Sequence, residues 1–389
     1  MNTAIIAGWA HSPFGKREEH DVEHLLAGIC GQALDHAGLP CAMVDGIFVG
    51  VFNGGFSKQG FEAAQVALAL PELAHVPAVR VENACATGSA ALYAALDFVN
   101  AGRGRVALVA GAEKMTAASG ADVADILLSA CYRPEEGNVD GGFAGLFGRI
   151  AASYFQRYGD RSAELAMIAA KNHANGVRNP FAQMRKDLGF DFCNTVSDRN
   201  PLVAAPLRRT DCSLVSDGAA ALVVVSPDLF DHVPRAIRPR ATAQANDHFP
   251  LSRRDPTAFE GARRAWAMAL DRAGITLQDL DLVETHDCFT VAELIQYEAM
   301  GLAEAGQGYR VVRDGVTTFG GALPVNPSGG LKAKGHPIGA TGVSQHVLGC
   351  MQLCGEAGDM QVPGAALVGV FNMGGAAVTN YASILERVK

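Results

Sequence analysis

Three stretches of the 389-residue chain carry side chains that could do chemistry. Around residue 85 the sequence reads VRVENACATGSAAL. A strand-like run ends near Asn83, and Cys85 stands at the mouth of the helix that follows. Unpaired backbone N–H groups and the positive end of a helix favour a thiolate there. Around residue 336 the text is NPSGGLKAKGHPIGATG, with His336 between Gly335 and Pro337 in a glycine-rich loop ahead of another helix. Glycines let backbone N–H groups come close to a ligand. The third stretch, ETHDCFT, sets His286, Asp287 and Cys288 side by side after the apolar run LDLV. A cysteine next to a histidine is the usual way to activate a thiol nucleophile. Alone, Cys85 reads as a buried structural cysteine and His336 as a loop histidine that caps a helix.

His286, Asp287 and Cys288 also invite a metal reading. It is the weaker one. Adjacent positions on an extended segment point to opposite faces, and no CxxC or HExxH motif supplies further ligands. Cys350 and Cys354 are four apart, the spacing of a helix core. GFAGLFG does not match a dinucleotide fingerprint, and neither a phosphate-loop motif nor a G-x-S-x-G elbow is present. No metal is expected.

The elements that must position these residues come from an internal repeat. ALDHAGL at Ala33–Leu39 matches ALDRAGI at Ala269–Ile275, and VDGIFVG from Val44 continues in register with LDLVETH from Leu280. VALVAGAEKM at Val106 matches AALVGVFNMG at Ala365. Each half alternates strands with helices, which predicts an α/β duplication with mixed, mainly parallel sheets. Gly88–Val99 and Gly342–Cys354 are nearly chargeless helices in corresponding places. A helix that is apolar all round must be covered on all sides. The simplest packing pairs them between two sheets, giving five αβαβα layers; two independent three-layer domains are the plainer alternative. A pseudo-twofold axis would then bring the mouths of both helices, with Cys85 and His336, to one crevice. The strand before ETHDCFT would open onto it too, at the carboxyl ends of the parallel strands.

The expected division is a first half at residues 1–116 plus 206–230, an inserted loop subdomain at 117–205, and a second half at 231–389. The insertion contains helical GRIAASYFQRYG and SAELAMIAAKNHANGV and a basic, turn-rich stretch, RNPFAQMRKDLGF. The segment DHVPRAIRPRA reads as a linker, and the runs RRTD and PRAIRPR as solvated loops.

Bulk properties narrow the function. Hydrophobic residues make up 49% and charged residues 19%, ordinary for a globular protein. The net charge is −8 with no Lys/Arg stripe, which argues against nucleic acid as a partner. No apolar run reaches the length of a membrane helix, and the first residues read as a strand. Nine scattered cysteines fit a reducing, cytoplasmic compartment.

With these residues in view, the chain resembles the thiolase superfamily over nearly its whole length. NACATGSAAL resembles the family's nucleophile-cysteine motif, NPSGGLKAKGHPIGATG its Gly-His-Pro motif, and SDGAAALVVV the strand that completes its first domain. The C-terminal Cys-x-Gly motif is absent: FNMGGAAV has Asn372 where the cysteine would stand. That departure, with His-Asp-Cys-Phe at 286–289 and NPFAQ at 179–183, resembles the sterol-carrier-protein-type (SCP-x) branch.

The resemblance implies an acyl-CoA C-acyltransferase that makes or cleaves 3-ketoacyl-CoA, with CoA and acyl-CoA as substrates and no permanently bound cofactor. Cys85, activated by His336, would carry the acyl group, and Cys288 would supply the missing acid/base thiol. His286 and His336 would hold the enolate oxygen. The N–H groups of Cys85 and of Gly374 or Gly375, next to Asn372, would hold the tetrahedral intermediate. Asp287 would orient a neighbour or cap a turn. Arg185 and Lys186 would meet CoA phosphates, and Ser328 its pantetheine arm. A homodimer or tetramer is expected. The rival readings are a retro-aldolase on the same fold and a subunit that works with a small OB-fold/zinc-ribbon protein.

Overall fold

Both halves of the chain lay down their strands in one spatial order. In the computed structural model, which describes residues 3–18 and 21–389, the first half supplies β1 (Ile5–His11), β2 (Gly46–Gly50), β3 (Ala78–Val81) and β4 (Val106–Glu113). A small hairpin, β5 (Leu202–Ala204) and β6 (Leu207–Arg208), precedes β7 (Gly218–Val225). The second half supplies β8 (Ile237–Asn246), β9 (Leu282–Glu284), β10 (Leu367–Gly374) and β11 (Thr379–Arg387). The order is β3-β2-β4-β7-β1 followed by β8-β11-β10-β9. A bridge between Val283 and Val325 takes, in the second half, the place β3 holds in the first.

In each half one strand, β7 or β11, runs against the others, while β2–β3, β2–β4 and β9–β10 pair parallel. The first strands of the two halves, β1 and β8, meet antiparallel at one pair, Ile6 with Ile237. The two expected sheets are therefore joined edge to edge, and the halves point in opposite senses, as a twofold-like relation requires.

The repeated ALDHAGL and ALDRAGI mark equivalent helix ends. Helix Val22–Ala37 stops at Gly38 (φ 69°) and helix Glu260–Ala273 at Gly274 (φ 64°), each glycine N–H bonding back to the last turn. That is a left-handed glycine cap. These helices form the outer layers, on β1 and β7 and on β8 and β11 respectively. Between the sheets lie the two central helices, Thr87–Asn100 and Ile338–Cys354. They cross at glycines: a Cβ on Gly88 would stand 2.5 Å from Val343 N, and one on Gly342 2.3 Å from Ser89 N. The five layers follow.

The insertion contains helices Gly142–Tyr158 and Ser162–Val177 where the sequence places them. It shares one core with the second half, Phe147 stacking on Phe289 at 4.3 Å. Two expectations are corrected. The presumed linker DHVPRAIRPRA contains the start of β8 at Ile237, where Arg238 and Arg240 pair with Glu386 across the sheet. RRTD is not a solvated run throughout: Arg208 and Asp211 are a buried ion pair at 2.9 Å.

Candidate active site

Cys85 is placed by a strained turn between β3 and the first central helix. Ala84 has φ 49°, a left-handed conformation that a non-glycine residue adopts only where surroundings enforce it. The Cys85 carbonyl accepts from Asn372 Nδ2 at 3.0 Å. The N–H groups of Gly375 and of Cys85 itself favour the thiolate, but burial outweighs them and pushes the thiol up to about 12. Water is excluded from the sulfur more effectively than the helix end compensates, so the balance favours the thiol. Glycine is required opposite. A side chain on Gly374 would meet Asn83 O at 2.5 Å, and Gly375 (φ 60°) sits against Ala130 O.

His336 precedes the second central helix, its Nδ1 2.7 Å from Thr341 Oγ1. His286 follows β9, its Nδ1 2.9 Å from Asn372 Nδ2. The rings meet edge to face with centroids 5.0 Å apart. Ligand atoms of Cys85, His286 and His336 lie within 4.8 Å of one another, although 251 residues separate the first from the last (336 against 85). Both Nε2 atoms are buried and have no protein partner. Burial, then the Lys334 charge, lowers His336 to about 3. Burial, then His336 and Lys334, lowers His286 well below the usual histidine range. Both rings are neutral at physiological pH.

Cys288 completes the group. Burial, then Cys85 and Asp287, pushes its thiol well up, so the two sulfurs feel one another. Asp287 turns the other way. It accepts from Asn172 Nδ2 (2.8 Å) and from the N–H groups of Leu331 (2.6 Å) and Lys332 (3.2 Å), capping the short helix Gly330–Lys334. Burial raises its carboxyl to about 7.

Cys85, Cys288 and His336 open into a cavity of about 170 Å³. Its walls are apolar: Met115, Phe289 and Ile338, with Phe143 and Val203 from the insertion. An acyl chain is the kind of group such walls accommodate. The three expected CoA contacts lie outside these walls. Ser328 is buried and donates its hydroxyl to Glu284 Oε2 at 2.7 Å, so that hydroxyl is already committed away from a pantetheine arm. Arg185 and Lys186 are exposed on the insertion. Several positioning groups escaped the sequence reading. Thr341 and Ser89 lie within the quoted motifs, which give no sign of their partners, and Gln296, which donates to His286 O at 2.7 Å, lies in none. Cys212 on the cavity wall had no spacing signal at all.

Comparison with known proteins shows the family. The family model "Thiolase, N-terminal domain" matches residues 4–228, and "Thiolase C-terminal domain-like" matches residues 243–387. An acetyl-CoA acetyltransferase of Methanothermobacter thermautotrophicus is 35% identical over 395 residues, covering 100% of both chains. Sterol carrier protein 2 of Bos taurus is 32% identical, over 96% of this chain and 70% of that protein. Among solved structures, one named Ltp2-ChsH2(DUF35) aldolase superposes with a TM-score of 0.82 at 22% identity, covering 99% of this chain and 98% of that one. A monomeric SCP2-thiolase-like protein from Mycobacterium smegmatis gives 0.74 at 18% identity, covering 99% and 77%. At those identities the two structures speak for the fold alone.

Proposed function

The chain belongs to the thiolase family and is an acyltransferase of that type; on that premise we propose that it makes or cleaves 3-ketoacyl-CoA through an acyl group carried on Cys85. The observation that carries this reading is the convergence of Cys85, His286 and His336, with two unpartnered imidazole nitrogens, beside Cys288 on an apolar cavity. In the cleavage direction the Cys85 thiol gives its proton to His336 Nε2 as sulfur adds to the keto carbon. The bond between C2 and C3 breaks, and its electron pair passes to C2 as the enolate of acetyl-CoA. Cys288 delivers a proton to C2. His336 returns the first proton to the Cys288 thiolate. The thiol of a second CoA then gives its proton to His336 as its sulfur attacks the Cys85 thioester, and His336 passes that proton to the departing Cys85 sulfur. His286 supports the enolate oxygen, and the N–H groups of Cys85 and Gly375 support the tetrahedral oxyanion. Such donors typically contribute about 10²–10³ in rate each.

Arg185 and Lys186 are proposed for the CoA phosphates, being exposed cations on the insertion. The division into two halves and an insertion, a cytoplasmic location and a homodimer or tetramer are likewise proposals. Nine free cysteines fit a reducing compartment, and no helix among the described residues is long and apolar enough to cross a membrane. A small partner protein that presents acyl groups remains an alternative; full turnover by the purified chain alone would argue against it. One test addresses the chemistry directly. Incubation with acetoacetyl-CoA, quenching and peptide mass analysis should find the acyl group on Cys85, and Cys85→Ala should abolish turnover. An acyl group on Cys288 or Cys212, or undiminished turnover without the Cys85 sulfur, would overturn the assignment. Release of an aldehyde from a 3-hydroxyacyl-CoA would favour the aldolase reading.

A further inference from the structure

We propose that Asn372 is a positioning residue that fixes His286 as its Nε2–H tautomer, so that the site's two histidines are held as opposite tautomers and their cluster with Cys85 does not close on a metal ion. The inference rests on the reading of the site given above and adds what decides which histidine gives a proton and which takes one.

The amide orientation is set by its neighbours. The Cys85 carbonyl can only accept, so the Asn372 atom 3.0 Å from it is the nitrogen. In that orientation Asn372 Oδ1 accepts from Ser89 Oγ at 2.9 Å, whereas the flipped amide would set its oxygen against the Cys85 carbonyl. The same Nδ2 stands 2.9 Å from His286 Nδ1. An amide nitrogen only donates, so His286 Nδ1 presents its lone pair, and the proton of the neutral ring is on Nε2.

His336 is held the other way. Thr341 Oγ1 donates its single hydrogen to Pro337 O at 2.8 Å. It therefore accepts from His336 Nδ1, 2.7 Å away, and leaves the His336 Nε2 lone pair free. Both Nε2 atoms are buried and without protein partners, and a ring nitrogen of each histidine lies within 4.8 Å of the Cys85 sulfur. One is a donor and the other an acceptor. The His336 nitrogen can take the thiol proton during attack, whereas the His286 nitrogen can only offer a hydrogen bond to a developing oxyanion.

The same lock bears on metal binding. A Cys/His/His set is one zinc accepts, but each nitrogen must offer a lone pair. For His286 to do so its proton would have to move to Nδ1, against the Asn372 NH₂. An aspartate at 372 would reverse this, accepting from Nδ1–H and freeing Nε2 in the carboxylate–histidine–metal arrangement.

Neutron diffraction of the wild-type protein exchanged into D₂O reads the lock without any variant. Deuterium is expected on His286 Nε2 and on His336 Nδ1; deuterium on His286 Nδ1 would overturn the proposal. Asn372→Asp should lower kcat by about 10²–10³-fold, the loss of one oxyanion donor, with KM little changed. It should also raise sensitivity to added Zn²⁺ by about 10–100-fold, reversed by EDTA. A folded Asn372→Asp protein with unchanged kcat, or with no gain in zinc inhibition, would count against the lock. Failure to find an acyl group on Cys85, with the deuterium pattern as expected, would instead remove the functional reading and leave the tautomer assignment standing.

Discussion

Cys85 and His336 face each other as neutral partners, because burial raises the thiol to about 12 and lowers the imidazole to about 3. The reactive thiolate must then form during attack, by transfer to His336, and not beforehand. Alkylation of Cys85 by iodoacetamide should be slow at pH 7 and still climbing at about pH 10; a plateau near neutrality would mean a preformed thiolate–imidazolium pair. Cys288 can be separated from it. Cys288→Ala should lower ketoacyl-CoA turnover by about 10²–10⁴-fold, the usual worth of a general acid or base. It should leave acetylation of Cys85 by acetyl-CoA intact, since that half-reaction forms no enolate. Equal loss of both would remove Cys288 from the acid/base role. At this scale the sequence shows the reactive types and their places at helix mouths. It does not show which imidazole nitrogen is free, since that depends on Thr341 Oγ1 and on the Asn372 amide reaching across from β10.

The elements bring these residues together through a close crossing and a buried acid. The two central helices approach at Gly88 and Gly342, and a methyl on Gly342 would lie 2.4 Å from Asn372 Oδ1 as well as 2.3 Å from Ser89 N. Gly342→Ala should cost about 1–3 kcal/mol as an overpacked contact and should lower activity by displacing that amide. Gly349→Ala, whose methyl would meet only side-chain tips at 3.2 Å or more, should be milder in thermal unfolding and in rate. Similar effects from both would deny the crossing its role. Glu113, at the end of β4, accepts from the N–H groups of Phe52, Asn53 and Gly339 and so ties one sheet to the second central helix. Burial raises its carboxyl from 4.5 to about 7. Between those values the folded protein keeps a proton that the unfolded chain has released. Its stabilising contribution is therefore full below about 4.5 and is lost as pH rises through about 7. Glu113→Gln should be less stable, because its NH₂ would face backbone donors, at a cost of about 1–3 kcal/mol. The gap in melting temperature between wild type and variant should narrow from pH 5 to pH 8; a widening gap would reverse the assigned sign. The repeat made most of these elements readable, because matched glycine caps and matched apolar strands recur in register. β8 was not readable: its run IRPRATAQAN looks like a loop, and only pairing with β11 and with Glu386 makes it a strand.

At the scale of the molecule, the nine-stranded sheet ends on one side at β3, whose one strand partner among the described residues is β2. Its residues are largely exposed, Val79 at 47%, and the neighbouring helix Glu62–Ala69 adds Phe61 just before its first turn (86%) and Leu68 (65%). An edge of unpaired backbone flanked by large apolar side chains is suited to pairing with another strand. A second copy of this chain presents the same edge, and antiparallel pairing of β3 with its twin is self-complementary, as a twofold dimer requires. The edge also bears on chemistry, since Cys85 follows Val81 by four residues and its strained turn hangs from this strand. A lysine there puts a charge on the edge, a device that blocks strand pairing. On the proposed homodimer, Val79→Lys should therefore shift the protein in sedimentation from a dimer towards the 40.6 kDa chain and reduce turnover along with it. If the wild-type chain already sediments at 40.6 kDa with full activity, the β3 edge is not an assembly surface and Cys85 needs no partner to hold its turn.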